Sequence, residues 1–72
     1  MKVRFILSET ATDTGITEDI DINLFKGPIT IIYKDEPYVI DDILYSIDQS
    51  LCFVRISPTV YNLSKVLELS VP

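Results

Sequence analysis

The chain of 72 residues has no histidine and no tryptophan, and it has only one cysteine and two glycines. Without histidine, the commonest metal ligand and the usual general base near neutral pH are both missing. Cys52 has no second cysteine with which to form an intramolecular disulfide. Two glycines are too few for a phosphate-binding loop or a dinucleotide fingerprint. The sequence therefore predicts a protein that is not an enzyme and that holds no metal or cofactor.

Long apolar segments are also missing. Charged and polar residues interrupt every apolar run well before the 18 or more residues that a membrane-spanning helix needs. The short apolar run near the amino terminus does not fit a secretory signal, and a lone cysteine agrees with a reducing compartment. We therefore expect a cytoplasmic protein that binds no membrane. A chain of this length forms one core, so residues 1–72 are predicted to be a single domain.

Basic residues are few, with six lysines and arginines against eleven acidic residues and a net charge of −5. Residues 9–48 contain ten of the acidic residues and only two lysines, so this segment carries a net charge of −8. Such a field repels phosphate backbones and attracts basic protein surfaces. The sequence therefore predicts a basic protein partner and no direct binding of nucleic acid. The alternative is that the acidic loops only keep a small apolar chain in solution.

Five segments have the apolar alternation or the β-branched and aromatic composition that is typical of strands. They are residues 3–7, 16–22, 29–33, 38–47 and 51–56. Polar stretches rich in turn-forming residues separate them, at 10–15, 23–28, 34–37 and 48–50. Because the last three strands are joined by three or four residues, we expect them to form an antiparallel meander.

The carboxyl-terminal third fits two patterns. Ser57 and Pro58 are suited to the N-cap and first position of a helix, and apolar residues at 60, 63 and 67 have roughly helical spacing. Apolar residues at 61, 63, 67 and 69 also follow a two-residue period. We predict one short helical turn at residues 58–63, followed by a strand at 65–69.

Five or six short strands with tight turns and one helical turn are typical of a small, strongly bent barrel. The strands at 29–33, 38–47 and 51–56, followed by a turn at 57–61, resemble an SH3-like barrel over residues 26–70. The resemblance implies an all-β, antiparallel barrel of five or six strands. The chain departs from peptide-binding SH3 domains because it has no tryptophan and no ALYDY-like aromatic pair. In size and acidity it is similar to accessory proteins that phages encode.

Asp41 and Asp42, with Asp48 downstream, are the candidate carboxylate cluster. Adjacent strand residues point to opposite faces, so these two aspartates do not converge on one ion unless a bulge intervenes. We predict a solvated edge or a bulge there. Cys52 lies in an apolar strand and is predicted to be a small buried core residue. The next residue, Phe53, is also predicted to belong to the core.

Tyrosine supplies four of the seven aromatic residues, and it is favoured where an apolar surface meets water or a partner. Tyr33 and Tyr38 flank the turn at 34–37, so we expect them to lie near each other across a hairpin. They either belong to a contact patch or cap the end of a small barrel. The predicted partner-binding residues are Tyr33, Asp35, Glu36, Tyr38, Asp41, Asp42 and Tyr45.

Two functions fit the acidic charge, the tyrosines and the apolar content of this chain. The first is a non-enzymatic binding protein that presents an acidic, tyrosine-containing surface to a basic protein, as a phage-type inhibitor or a nucleic-acid mimic does. The second is a structural or assembly protein whose core is completed by homo-oligomerisation, because small apolar-rich domains often need a partner subunit.

Overall fold

The structure is a computed structural model that describes residues 1–61 and 65–70. In chain order the elements are β1 (Lys2–Leu7), β2 (Thr12–Asp19), a 3₁₀ turn (Ile22–Phe25), β3 (Thr30–Tyr33), β4 (Glu36–Ser46), β5 (Leu51–Pro58) and β6 (Val66–Glu68). The six strands form one sheet in the order β2-β1-β5-β4-β3-β6, and the sheet curls into a half-barrel. The predicted all-β fold is confirmed. Among the described residues, no helix has the length and apolarity to cross a bilayer.

The sheet is mixed. β1 pairs with β2, and β4 pairs with both β3 and β5, in antiparallel orientation, so the predicted meander from β3 to β5 is confirmed. The prediction that all strands are antiparallel is wrong, because β1 pairs with β5 and β3 pairs with β6 in parallel orientation. Parallel pairs join segments that are distant in sequence, and a local alternation pattern carries no information about such pairs.

The helical turn predicted at residues 58–63 is wrong over its described part. Pro58 is the last residue of β5, and residues 59–61 have no helical structure. The backbone N–H of Thr59 donates to the carbonyl of Pro37 at 3.1 Å, which continues the contact with β4 past the end of β5. The rest of that prediction, residues 62 and 63, lies outside the described residues.

The 3₁₀ turn lies earlier in the chain, where the sequence predicts only a loop. The carboxylate of Asp21 caps the turn by accepting a hydrogen bond from the backbone N–H of Asn23 at 3.0 Å. The Lys65 ammonium donates to the backbone carbonyls of Leu24 and Lys26, at 3.3 and 3.0 Å. The capping aspartate and the lysine together satisfy backbone groups that so short a helix leaves without partners.

The second strand begins and ends earlier than predicted, at Thr12–Asp19 instead of residues 16–22. The Thr14 hydroxyl donates to the Phe5 carbonyl at 2.8 Å, which ties this polar segment to β1. Gly15 lies in the irregular stretch of the β1–β2 pairing and has a φ of +76°, a conformation that glycine adopts at little cost. The glycine that predicts a loop therefore permits a bulge within the strand.

The core lies on the concave face of the sheet, which we call the inner face. β5 shows the alternation clearly, because Cys52, Val54 and Ile56 are buried there whereas Arg55 is exposed on the outer face. The predicted burial of Cys52 is confirmed, and burial raises the pKa of its thiol. The assignment of Phe53 to the core is wrong, since Phe53 is half-buried on the outer face. The buried apolar residues are Val3, Phe5, Ile16, Ile20, Ile29, Ile31, Tyr33, Cys52, Val54, Ile56 and Leu69.

Candidate functional site

The seven predicted partner-binding residues lie along the β3–β4 hairpin and do not form one patch. Asp35 and Glu36 are exposed where β4 begins, whereas Tyr45 is near its far end. At the rise of an extended strand, Glu36 and Tyr45 are about 30 Å apart. The longest extent of the molecule is only 34 Å. The predicted residues therefore share a hairpin but are spread over the length of the protein.

Tyr33 and Tyr38 lie close together across the β3–β4 hairpin, as predicted. Their ring centroids are 6.1 Å apart with an interplanar angle of 59°, a tilted arrangement that aromatic pairs favour. Tyr33 belongs to the core with only 9% exposure, and the Lys34 ammonium lies 5.4 Å from its ring centroid. Tyr38 is half-buried and packs against the core. This is the placement expected of tyrosines that cap the end of a small barrel.

Asp41 is the extra residue of a β-bulge, because the β4–β5 register passes from Ile40 opposite Ile56 to Asp42 opposite Arg55. The predicted bulge is confirmed. The Ser57 hydroxyl donates to Asp41, and this hydrogen bond is the main reason why the pKa of Asp41 is below its ordinary value. The two neighbouring carboxylates thus take different partners. Within the described ranges, no three side chains of the metal-binding types are grouped to hold an ion.

Asp42 forms a two-bond ion pair with Arg55 on the outer face. The Arg55 Nε donates to one carboxylate oxygen at 2.6 Å, and a terminal guanidinium nitrogen donates to the other oxygen. The guanidinium lowers the pKa of Asp42, and the carboxylate raises the pKa of Arg55. Both side chains are about half exposed, so the pair is accessible from solvent.

Beyond the bulge, β4 is exposed on both faces of its hairpin with β5. Ile43 and Tyr45 are on the inner face, opposite Val54 and Cys52, whereas Leu44 is on the outer face, opposite Phe53. Ile47 lies in the turn that follows β4. We call these four side chains the apolar hairpin; their exposed fractions are 44% for Ile43, 66% for Leu44, 53% for Tyr45 and 81% for Ile47. Contiguous exposed apolar residues of this kind are typical of interaction surfaces.

Of the four residues of the apolar hairpin, the sequence predicts only Tyr45 as a partner-binding residue. The sequence feature that indicates this surface is the run of three consecutive apolar residues at 43–45, followed by Ile47. A strand with one solvated face alternates apolar and polar residues, so an unbroken run at the end of a strand shows that both faces are apolar. Such a run is either buried on both faces or exposed for contact, and the structure shows that it is exposed.

The outer face of the hairpin contains a groove of about 500 Å³. Leu44 of β4, Phe53 of β5 and Ile6 of β1 are its main apolar lining. The Asp42–Arg55 ion pair lies along the same groove. The groove therefore combines apolar contact area with a polar wall whose opposite charges neutralise each other.

The charges around the apolar hairpin are mostly negative. Asp41 and Asp42 precede it and Asp48 follows it, and Arg55, the base that lines the groove, is paired with Asp42. On the same outer face, Arg4 of β1, which is opposite Phe53, is likewise paired, with its Nε 2.7 Å from an oxygen of Asp13. An incoming molecule therefore meets an apolar surface with a net negative border.

The chain matches no protein-family model, no curated protein and no solved structure. The proposals that follow therefore depend on the geometry and charge of this chain alone.

Proposed function

We propose that this chain is a non-enzymatic binding protein that engages a basic protein through the apolar hairpin and the acidic residues beside it. The observation that supports this proposal is the exposure of Ile43, Leu44, Tyr45 and Ile47 at the end of one hairpin. Together they expose on the order of 400 Å² of mostly apolar surface, which is divided between the two faces and the turn of the hairpin.

Charge supports the basic character of the partner. Asp41, Asp42 and Asp48 adjoin the apolar hairpin, and the chain as a whole carries a net charge of −5. An acidic border around an apolar centre favours a partner with the complementary arrangement and accelerates its approach. In its most specific form, the proposal is that the partner is a nucleic-acid-binding protein whose phosphate site this acidic surface occupies.

Capture from a cell lysate with matched variants tests the proposal. The wild-type protein is compared with Leu44→Ser/Ile47→Ser, which removes apolar contact, and with Asp41→Asn/Asp48→Asn, which removes negative charge. Asp35→Asn/Glu36→Gln is the control, because it removes the same charge at the opposite end of β4. We expect the wild type and the control to enrich the same basic proteins and the two hairpin variants to lose them. Enrichment that is equal in all four proteins contradicts the proposal.

Self-association is the second candidate function, and the same exposed surface favours it. From these four side chains alone, two copies packed hairpin against hairpin would bury at most about 800 Å², so a specific interface would also need surface from the residues beside the hairpin. Sedimentation of the wild type and of Leu44→Ser/Ile47→Ser at several concentrations distinguishes the two functions. A wild-type dimer that the variant abolishes supports self-association, whereas a monomer at all concentrations excludes it.

A further inference from the structure

We infer that the groove on the outer face is a subsite for one aromatic side chain of the basic partner. The inference rests on the proposed function and adds the chemistry of the side chain that the groove recognises. It depends on three features of the groove: its apolar lining, its fixed guanidinium and its neutralised charge.

The lining presents apolar groups from three adjacent strands. Leu44 of β4 is opposite Phe53 of β5, and Ile6 of β1 is opposite Arg55 of β5. Leu44 is 66% exposed, and Ile6 and Phe53 are half-buried, so all three have surface that a ligand can cover. A flat ring that enters here contacts aliphatic groups from Ile6 and Leu44 and a second ring from Phe53, and aromatic rings favour tilted or offset contact with each other.

Arg55 supplies the feature that favours an aromatic group over an aliphatic one. Its two hydrogen bonds to Asp42 fix the plane of the guanidinium beside the groove. A planar guanidinium stacks on aromatic faces, and one whose plane is already fixed loses little freedom when a ring packs against it. An aliphatic side chain in the same place contacts the lining but gains nothing comparable from Arg55.

The ion pair also explains how an arginine can line the binding site for a basic partner. An uncompensated Arg55 would repel lysines and arginines on the incoming segment. Asp42 cancels that charge, and Asp41 adds a negative charge next to the pair. Arg55 therefore stays available for stacking while the surface around it remains favourable for a cationic segment.

Methyl and amide NMR of the labelled full chain, titrated with three short peptides, tests the inference. The first peptide is lysine-rich with one central tryptophan, the second has leucine in place of tryptophan, and the third has glutamates in place of the lysines. We expect the first peptide to produce ring-current shifts at the methyl groups of Ile6 and Leu44 and at the Arg55 Nε–H. We expect the leucine peptide to bind about fivefold more weakly, the change that one cation–π contact supplies.

Two variants separate stacking from charge. Arg55→Lys keeps a positive charge beside Asp42 but removes the planar group, so we expect the preference for tryptophan over leucine to be smaller than in the wild type. Arg4→Lys is the matched control, because it alters the other outer-face arginine that is paired with an aspartate, and the full preference for tryptophan should persist. A preference that is as large in Arg55→Lys as in the wild type overturns the role of Arg55.

The peptide set also separates failure of the inference from failure of the proposed function. If the lysine peptide binds as well with leucine as with tryptophan, the aromatic subsite is refuted and the basic partner is not. If the glutamate peptide binds as well as the lysine peptide, the basic partner is refuted and the subsite is not. Absence of shifts in the groove with every peptide overturns the inference. If raising the protein concentration alone produces shifts in the groove, a second copy of the chain occupies the groove. That result also overturns the inference.

Discussion

Neighbouring side chains of β5 have opposite environments, and this difference determines what each residue contributes. Cys52 and Val54 are buried among apolar residues on the inner face, so they stabilise the fold. Phe53 and Arg55 point to the outer face, where both line the groove. Alternation along a strand thus divides the core and the groove between residues that are adjacent in sequence.

Truncation of Phe5 and of Phe53 should have very different effects on stability. Phe5 is 0% exposed, so Phe5→Ala is expected to lower the free energy of unfolding by about 3–5 kcal/mol. Phe53 is half-buried, so Phe53→Ala is expected to cost about 1 kcal/mol. Urea denaturation followed by circular dichroism measures both values. Equal losses in the two variants would show that the assignment of inner and outer faces on β1 and β5 is incorrect.

The paired aspartates should make the fold sensitive to acid. Hydrogen bonds to Asp13 from Gly15 and Arg4, to Asp41 from Ser57, and to Asp42 from Arg55 lower the pKa of each carboxyl below 3.8. The unfolded chain therefore binds protons at a higher pH than the folded chain does. The stabilisation that these hydrogen bonds give the fold is complete above the pKa that the carboxyls have in the unfolded chain. It is lost as the pH falls through the lower pKa that they have in the folded chain.

Thermal melts of the wild type and Asp42→Asn from about pH 5 to about pH 2 test this linkage. We expect the midpoint of the wild type to fall more steeply than that of Asp42→Asn over this range. Arg55→Gln should reduce the steepness in the same way, because it removes the guanidinium that lowers the pKa of Asp42. Parallel midpoint curves for all three proteins would exclude a contribution from this ion pair.

At the level of elements, the sequence predicts the strands that alternate and misses the contacts that are distant in sequence. Residues 29–33 and 51–56 coincide closely with β3 and β5, because β-branched and aromatic residues there have one buried face. The parallel pairs of β1 with β5 and of β3 with β6 leave no local pattern, so the mixed sheet was not predictable. The helical turn at Ile22–Phe25 depends on Asp21 and on Lys65, which is distant in sequence.

The candidate site was only partly predictable for the same reason. Asp41, Asp42 and Tyr45 follow from the sequence, and the bulge that separates the two aspartates was one of two expected arrangements. Ile6 enters the groove only because β1 lies beside β5, a pairing that no local pattern reveals. Leu44 and Ile47 belong to an apolar run that indicates either burial on both faces or exposure for contact, and only the structure shows that both residues are exposed.

The β3–β4 turn stores backbone strain that a single glycine should relieve. Tyr33 pairs with Glu36, so the connection has two residues, and both have positive φ: 51° for Lys34 and 63° for Asp35. These angles define a type I′ turn, in which glycine is favoured at the second position. Asp35→Gly is therefore expected to raise the free energy of unfolding by about 1 kcal/mol.

Glu36→Gly is the matched control for this turn. Position 36 belongs to β4, where glycine weakens the strand, so we expect this change to be destabilising. Urea denaturation of the two variants gives the comparison. A loss of stability in Asp35→Gly similar to that in Glu36→Gly would show that the turn does not have the assigned conformation.

At the level of the whole molecule, the two surfaces considered for binding act over different distances. The acidic turn of Asp35 and Glu36 is roughly 20–30 Å along β4 from the residues of the apolar hairpin, so we expect it to contribute to the long-range field and not to direct contact. We propose that the apolar hairpin is where a partner is desolvated and held. The charge of the chain should therefore govern how fast a partner arrives, and the hairpin should govern how long it stays.

The central claim, that the apolar hairpin is the contact surface, is tested most directly by the dissociation rate of a captured basic partner in surface plasmon resonance. Leu44→Ser/Ile47→Ser is compared with Asp35→Lys/Glu36→Lys, each against the wild type at low and high salt. We predict that the hairpin variant dissociates at least tenfold faster with little change in association, because buried apolar anchors carry much of an interface's energy. The charge-reversed variant should associate more slowly and dissociate at the wild-type rate. A hairpin variant that dissociates at the wild-type rate would contradict the account.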